Sequence, residues 1–274
     1  MQNFTLHTHT IGFDGKNTIA EMVARAAQLG MNAIGISNHF IVHPEITNAK
    51  FYPFSVARGY KNIYSSSFDE AIKLFMSHYQ ELERIAASAN IRILRGMEVD
   101  FFPSVTWRRG FEQALKILQP DYLIGSCHFI EYDGVLCNVH DMAKADIDTQ
   151  NQMLHQYWQN VATAAGAGLF DWMAHLDLPK KVGLGSEPQW DGCWASAVSA
   201  ISANKTAIEI NTGLATDFYP SAQILKMIAN ANIPVFISDD AHSVDQVARH
   251  FENAMDFAHN CGVNNFMTLD TILR

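Results

Sequence analysis

Long apolar runs, basic runs and paired cysteines are all missing from this sequence of 274 residues. No uninterrupted apolar stretch approaches the ~20 residues of a bilayer-crossing helix, so no membrane partner is expected. No Lys/Arg cluster interrupts a formal net charge of −9, and the pI is near 5.7. That argues against a nucleic-acid partner, because binding to a phosphate backbone normally leaves a basic footprint. The basic start, apolar middle and small-residue cleavage site of a signal peptide are also missing, so a cytoplasmic location is expected. The four cysteines, Cys127, Cys137, Cys193 and Cys261, show no C-x-x-C spacing, which argues against a structural zinc knot and a disulfide scaffold. Cys127 directly precedes His128, but alternation along a strand turns it to the opposite face. A hydrophobic content of 48% supports a sizeable core, and the length suits one α/β domain over residues 1–274.

Histidine is what the chain does have, and it is placed with a pattern. The opening stretch Phe4–Gly15, FTLHTHTIGFDG, sets His7 and His9 at alternate positions, so a strand's period of two points both imidazoles to one side. Gly12 and Gly15 free the backbone to turn, which lets Asp14 fold back beside them. Thr18 to Glu21 has the form of a capping box, and Ile19, Met22, Val23, Ala26 and Leu29 recur at helical spacing up to Gly30. A short apolar strand, Ala33–Ser37, then delivers His39. Strand, helix and strand without a hairpin imply a parallel crossover.

The same rhythm repeats to the end of the chain. Strands are expected at 91–100 with Glu98 near the end, at 122–127 before His128, at 170–174 before His175, at 206–211, and at 233–238 before Asp240 and His242. Between them the spacing predicts helices over 68–89, 107–118, 148–165, 194–203 and 244–259, with Pro220 opening a further one. His78 is placed on the solvent face of the second helix. Residues 40–67 break the rhythm and read as a long aromatic loop over the barrel mouth, a lid. A second irregular stretch surrounds Gly134. Seven strand-then-helix units predict a closed or nearly closed parallel barrel, with Phe266–Leu269 not counted as an eighth strand.

In such barrels the chemistry gathers at the C-terminal ends of the strands. Six of the seven strands end in a ligand-type residue, giving His7, His9, Asp14, His39, Glu98, His128, His175, Asp240 and His242 as metal candidates. Six imidazoles and three carboxylates exceed the needs of one catalytic ion, which takes three protein ligands and a water. Two or three divalent ions, zinc, iron or manganese, fit better, with a carboxylate bridging ions ~3.5–4 Å apart. Glu98, on a middle strand, is the bridging candidate. His43 and His140, both in loops, are candidates for supporting or substrate roles, whereas His78, His155, His250 and His259 read as structural.

The set His7-x-His9, Asp14-Gly, Ser37-Asn-His39, Gly-Met-Glu98-Val-Asp, Gly-Ser-Cys-His128-Phe, Ala-His175-Leu-Asp and Ser-Asp-Asp240-Ala-His242 resembles the polymerase-and-histidinol-phosphatase (PHP) family. The match covers essentially the whole chain. Within that family the sequence is most similar to histidinol-phosphate phosphatases, through FDWMAHLDL, AIEINTG and SDDAHS. The resemblance implies a distorted (β/α)7 TIM-like barrel holding three divalent metal ions. By motif correspondence one ion takes His7, His9, Glu98 and Asp240, a second takes Asp14, His39 and His242, and a third shares Glu98 with His128 and His175. Two departures stand out. Asn38 replaces an acidic residue found in many relatives, and Leu214–Asp217 lacks a basic residue expected from some histidinol phosphatases.

The activity so implied is hydrolysis of a small phosphomonoester, foremost L-histidinol phosphate in histidine biosynthesis, by a metal-activated hydroxide. Glu98, Asp240 and His242 are the catalytic candidates. Lys180, Lys181, Arg58 and Lys61 are the candidates for gripping phosphate, and the partner is a small phosphate ester. An amidohydrolase-type barrel also begins with His-x-His but usually needs a bridging lysine on a middle strand, where this chain has Glu98. A phosphoesterase for another small ester, nucleotide or cyclic, and a metal-stabilised accessory module without activity remain the competing readings.

Overall fold

The structure is a computed structural model that describes residues 2–214 and 217–272; the side chain of Lys61 lies outside that description. The strands are β1 (Phe4–Thr5), β2 (Ala33–Ile36), β3 (His39–Val42), β4 (Tyr64–Ser65), β5 (Arg92–Asp100), β6 (Tyr122–Ser126), β7 (Phe129–Tyr132), β8 (Val135–Asn138), β9 (Trp172–Met173), β10 (Ala207–Asn211) and β11 (Val235–Ser238). The helices are α1 (Ile19–Gln28), α2 (Tyr52–Ala57), α3 (Phe68–Ala86), α4 (Val105–Leu118), α5 (Val139–Met142), α6 (Ile147–Gly166), α7 (Asp191–Asn204), α8 (Ala222–Asn230), α9 (Phe251–Asn260) and α10 (Leu269–Ile272). Seven strands pair in parallel in the order β1-β2-β5-β6-β9-β10-β11. A single parallel bridge, Thr8 to Ala241, joins the two ends near the top, so the sheet is a nearly closed barrel. At the bottom, Phe266 makes one bridge to Val235, a trace of an eighth strand.

Alternation on each strand divides the core in two. On β5, Leu94, Gly96 and Glu98 share one face. Leu94 joins Leu6, Tyr122, Trp172 and Phe236 in a smaller cluster that plugs the barrel, with the Tyr122 and Trp172 rings stacked at 4.9 Å. Gly35 and Gly96 leave room for Tyr122, since a Cβ on either would lie within 2.2 Å of its ring or hydroxyl. The opposite faces, including Ile34 and Met97, pack in the larger cluster with the helices. The capping box at Thr18 forms as expected, with Glu21 N–H donating to Thr18 Oγ1 and Thr18 N–H donating to Glu21.

Several local expectations change. Residues 40–67 are not a structureless loop: β3 continues the register of β2 along β5 and also pairs with β4. The aromatics of this segment pack on one another and on Phe129, Phe51 stacking on it at 4.8 Å. The stretch around Gly134 is the hairpin β7–β8. Asp133 (φ 49°) and Gly134 (φ 72°) form the two-residue turn that an Asp-Gly pair favours. Pro220 lies before α8 rather than opening it, because Ser221 is the N-cap. The expected 244–259 helix is broken. Ala248 and His250 take positive φ, and Ala248 N–H donates to the Asp239 carboxylate at 2.6 Å. His78 turns inward, its Nε2 lying 3.1 Å from Asn38 Nδ2.

Candidate metal centre

All nine metal candidates converge at the top of the barrel, above the Tyr122–Trp172 plug. Regular pairing of β1 ends at Thr5, and the chain beyond it is anchored through His9 N–H to Ala241 O (2.8 Å). His7 and His9 therefore reach the site from a short extended segment rather than from a continuous strand. The turn that follows brings Asp14 back, with Gly12 at φ +96°; a Cβ on Gly15 would lie 2.5 Å from the backbone of His9. Only glycine permits that approach.

Glu98 sits in the middle with no exposure to solvent. Its Oε2 lies 2.8 Å from His39 Nδ1, 3.4 Å from His7 Nε2 and 3.6 Å from His9 Nε2. Its Oε1 lies 3.0 Å from His175 Nε2 and 3.6 Å from His128 Nε2, and accepts from Ser126 Oγ at 2.7 Å. The two oxygens thus face two different sets of imidazoles. Asp240 Oδ1 lies 3.1 Å from His9 Nε2 and 3.5 Å from His7 Nε2. Asp14 Oδ2 lies 3.1 Å from both His39 Nε2 and His242 Nε2. Three sets have donor atoms all within 4.8 Å of one another: His9, Asp14, His39 and His242; His7, His9 and Asp240; and His39, Glu98 and His128.

These residues fit divalent cations, and the test is their unmet bonding. His7 Nε2, both ring nitrogens of His9, Asp14 Oδ1, His39 Nδ1 and Glu98 Oε2 are buried and make no well-aligned hydrogen bond, although His39 Nδ1 lies 2.8 Å from Glu98 Oε2 and His9 Nε2 3.1 Å from Asp240 Oδ1. Leaving so many polar atoms sealed from water is costly, and one or more cations at their focus satisfies them together. Neighbours orient the rings for it. His7 Nδ1 donates to Glu209 Oε2 (2.8 Å), His128 Nδ1 to Asp100 Oδ2 (2.8 Å) and His242 Nδ1 to the Asp240 carbonyl (2.9 Å). Each bond leaves Nε2 as the lone-pair atom facing inward. Glu209 also accepts from Asn211 Nδ2 (2.7 Å) and His175 N–H (3.2 Å).

Burial alone would raise the pKa of Glu98, but the charges of His39, His7 and His128 hold it well below the usual carboxylate range. Histidine neighbours hold Asp14 and Asp240 down in the same way against burial. Burial pulls His7 and His39 down, yet the surrounding carboxylates leave both well above their ordinary value. Burial and the adjacent His242 push His9 down to about 4, which keeps it a neutral ligand near pH 7. Protons and cations therefore compete for the same atoms.

A cleft of about 270 Å³ opens onto this cluster, walled by Tyr60, Tyr64, Phe129, His140, Lys181 and Tyr219 among others. Of the three basic candidates whose side chains are described, Lys180, Lys181 and Arg58, the structure brings only Lys181 to this cleft. Lys180 turns away: its ammonium lies 3.1 Å from Asp217, donates to the Phe218 carbonyl and sits 5.1 Å from the Tyr219 ring centroid. Arg58 lines a neighbouring cleft instead. Lys61 falls in a 3-10 turn, Lys61–Ile63, and its side chain is outside the described residues, as are residues 215–216 of the 214–217 stretch. Burial pushes the Cys127 thiol up, as suits a core residue.

Glu209 and Asp100 were not among the sequence candidates. The signal for Glu209 was a carboxylate in the middle of an apolar strand, where burial demands a partner. For Asp100 it was the period of two from Glu98.

A family model for the PHP domain matches residues 4–213. The chain belongs to the PHP family. Among its PHP-like relatives, a probable histidinol-phosphatase of Deinococcus radiodurans is 27% identical over 199 residues, 70% of this chain and 74% of the relative. Two solved structures share the barrel. A putative histidinol phosphatase, HisK, of Listeria monocytogenes has a TM-score of 0.68 at 18% identity, covering 91% of this chain and 99% of that one. The histidinol phosphate phosphatase of Lactococcus lactis, complexed with zinc, L-histidinol and phosphate, also has a TM-score of 0.68 at 17% identity, covering 97% and 96%.

Proposed function

We propose that this PHP protein is a metal-dependent phosphatase that hydrolyses a small phosphomonoester, with L-histidinol phosphate the foremost substrate. The observation that carries the reading is the set of orphaned imidazole and carboxylate atoms focused at one barrel mouth. The Deinococcus relative, named a probable histidinol-phosphatase, and the Lactococcus complex with zinc, L-histidinol and phosphate support the choice of substrate. His7, His9, Glu98 and Asp240 hold one ion in this reading, Asp14, His39 and His242 a second, and Glu98, His128 and His175 a third.

Bound divalent cations supply positive charge for phosphoryl oxygens and acidify water. The chain's own residues do the rest. Glu98 presents one oxygen to each half of the cluster, which fixes the spacing of the two halves. Glu209 and Asp100 lock ring orientations, so that no reorganisation is needed as charge builds on the ester. With their lone pairs committed to ions, Asp240 and His242 act by placing charge rather than as free bases. Lys181 sets a cation at the mouth for a dianionic ester, and the aromatic wall limits both water and substrate size. The small cleft and the acidic chain disfavour a polymer substrate.

The test is phosphate release by metal-reconstituted protein from histidinol phosphate, serine phosphate, sugar phosphates, nucleotides and an aryl phosphate. Histidinol phosphate is expected to lead by about tenfold or more in kcat/KM, a margin within reach of a few pocket contacts. A nucleotide or cyclic ester that outruns it removes the named substrate.

A further inference from the structure

The metal-side cleft is lined by five imidazoles: His39, His128, His140, His175 and His242. Four of them lie within 3.1 Å of a carboxylate: His39 and His175 against Glu98, His128 against Asp100 and His242 against Asp14. His140 differs. Among the described residues its ring has neither a hydrogen bond nor an ion pair, and it is exposed. Its backbone, by contrast, is fixed. Asn138 Oδ1 accepts from His140 N–H (2.9 Å) and Asp141 N–H (3.1 Å), and the Asp141 carboxylate accepts from Asn138 N–H, a reciprocal capping box. Val139 and Met142 on either side are buried. The hairpin β7–β8, which starts directly after His128, thus delivers a free imidazole to the wall facing the ligand set.

The position of that wall matters. A second, larger cleft of about 950 Å³ adjoins the first, and the two share Tyr64, Asn138 and His140. His140 therefore borders both clefts. A phosphomonoester whose phosphoryl group lies against the buried carboxylate–imidazole floor must send its alcohol outward. The oxygen linking phosphorus to the alcohol then lies on the outward side of the phosphoryl group, toward the exposed part of the cleft that His140 lines.

Building on the phosphatase reading above, we infer that His140 is the general acid that protonates the departing alcohol. As the phosphorus–oxygen bond breaks, its electron pair stays on the alcohol oxygen, which takes a proton from the His140 ring. Water supplies the oxygen that joins phosphorus, and the proton that water releases returns to the His140 ring through solvent. The products are a neutral alcohol and inorganic phosphate. An alkoxide is a far worse leaving group than an alcohol, and positioned proton donors contribute typically ~10²–10⁴-fold to such steps. The neighbouring phenols are poorly suited, because burial raises the pKa of both Tyr64 and Tyr219.

The experiment compares wild type with His140→Gln, both reconstituted with the same metals, on histidinol phosphate and on p-nitrophenyl phosphate, whose phenolate leaves without a proton. Metal content is measured alongside. The inference expects kcat on the alkyl ester to fall at least about 10²-fold, the aryl ester to lose far less, and metal content to match wild type. Equal losses on the two esters, or an undiminished rate on the alkyl ester, overturn the assignment while leaving the phosphatase reading intact. Wild type inert toward both esters overturns the phosphatase reading, and the role of His140 with it.

Discussion

Replacing Glu98 by glutamine keeps the side chain's shape and removes one buried charge, so it isolates what that carboxylate does. Six groups surround it: five imidazoles at 2.8–3.6 Å and the Ser126 hydroxyl at 2.7 Å. The amide retains an acceptor for Ser126, but its NH2 must face imidazole nitrogens on the other side and cannot serve two cations. Removing one partner of a buried charged set costs about 3–5 kcal/mol, which at ~1.4 kcal/mol per decade corresponds to a hold on metal weaker by roughly a hundredfold to several thousandfold. The assay is elemental analysis after dialysis, paired with phosphate release from histidinol phosphate. Asp177→Asn is the comparison. Asp177 is as deeply buried and follows His175 by two residues, yet its Oδ2 accepts from Ser221 N–H at 2.8 Å and faces Lys180 at 3.9 Å rather than the cluster. E98Q is expected to lose metal and turnover together, whereas D177N retains its metal. Equal losses in the two variants would refute the bridging role.

Two further outcomes follow from the same geometry. Glu209→Gln weakens the bond that fixes the His7 ring and is expected to lower metal affinity about 10–100-fold; chelator competition measures it, and wild-type affinity would contradict the role given to Glu209. Burial lowers the His78 pKa to about 4, below the unfolded value near 6.5. The ring therefore contributes stability that is complete above pH 6.5 and is lost as pH falls from there toward 4, by at most about 3 kcal/mol. Urea unfolding of metal-free protein at pH 7 and pH 4.5 should show a smaller acid loss for His78→Gln than for wild type, and identical losses would count against the half-buried, neutral ring.

The barrel and its ligand residues were legible because their causes are local. Apolar strands alternate with amphipathic helices, and a ligand type at a strand's end sits at the active rim whatever the details of packing. Thr18 and Glu21 announced their helix by spacing alone. Features that depend on distant partners were not legible in the same way. The helix expected from Val244 is broken where Ala248 N–H finds the Asp239 carboxylate. His78 turns from solvent to Asn38, and Tyr64 leaves a loop to pair with Ile41.

The sequence by itself determined that imidazoles and carboxylates gather at one end of a parallel barrel, since strand period and crossover direction decide that. Only the tertiary structure decided which neighbour each of them meets. Lys180 and Lys181 are adjacent and chemically identical, yet one turns to Asp217 and the other to the cleft. Glu209 became a partner of His7 across 202 residues of chain. Whether a charged side chain points at solvent, a counter-ion or a substrate depends on the packing of segments remote in sequence, and no local pattern encodes it.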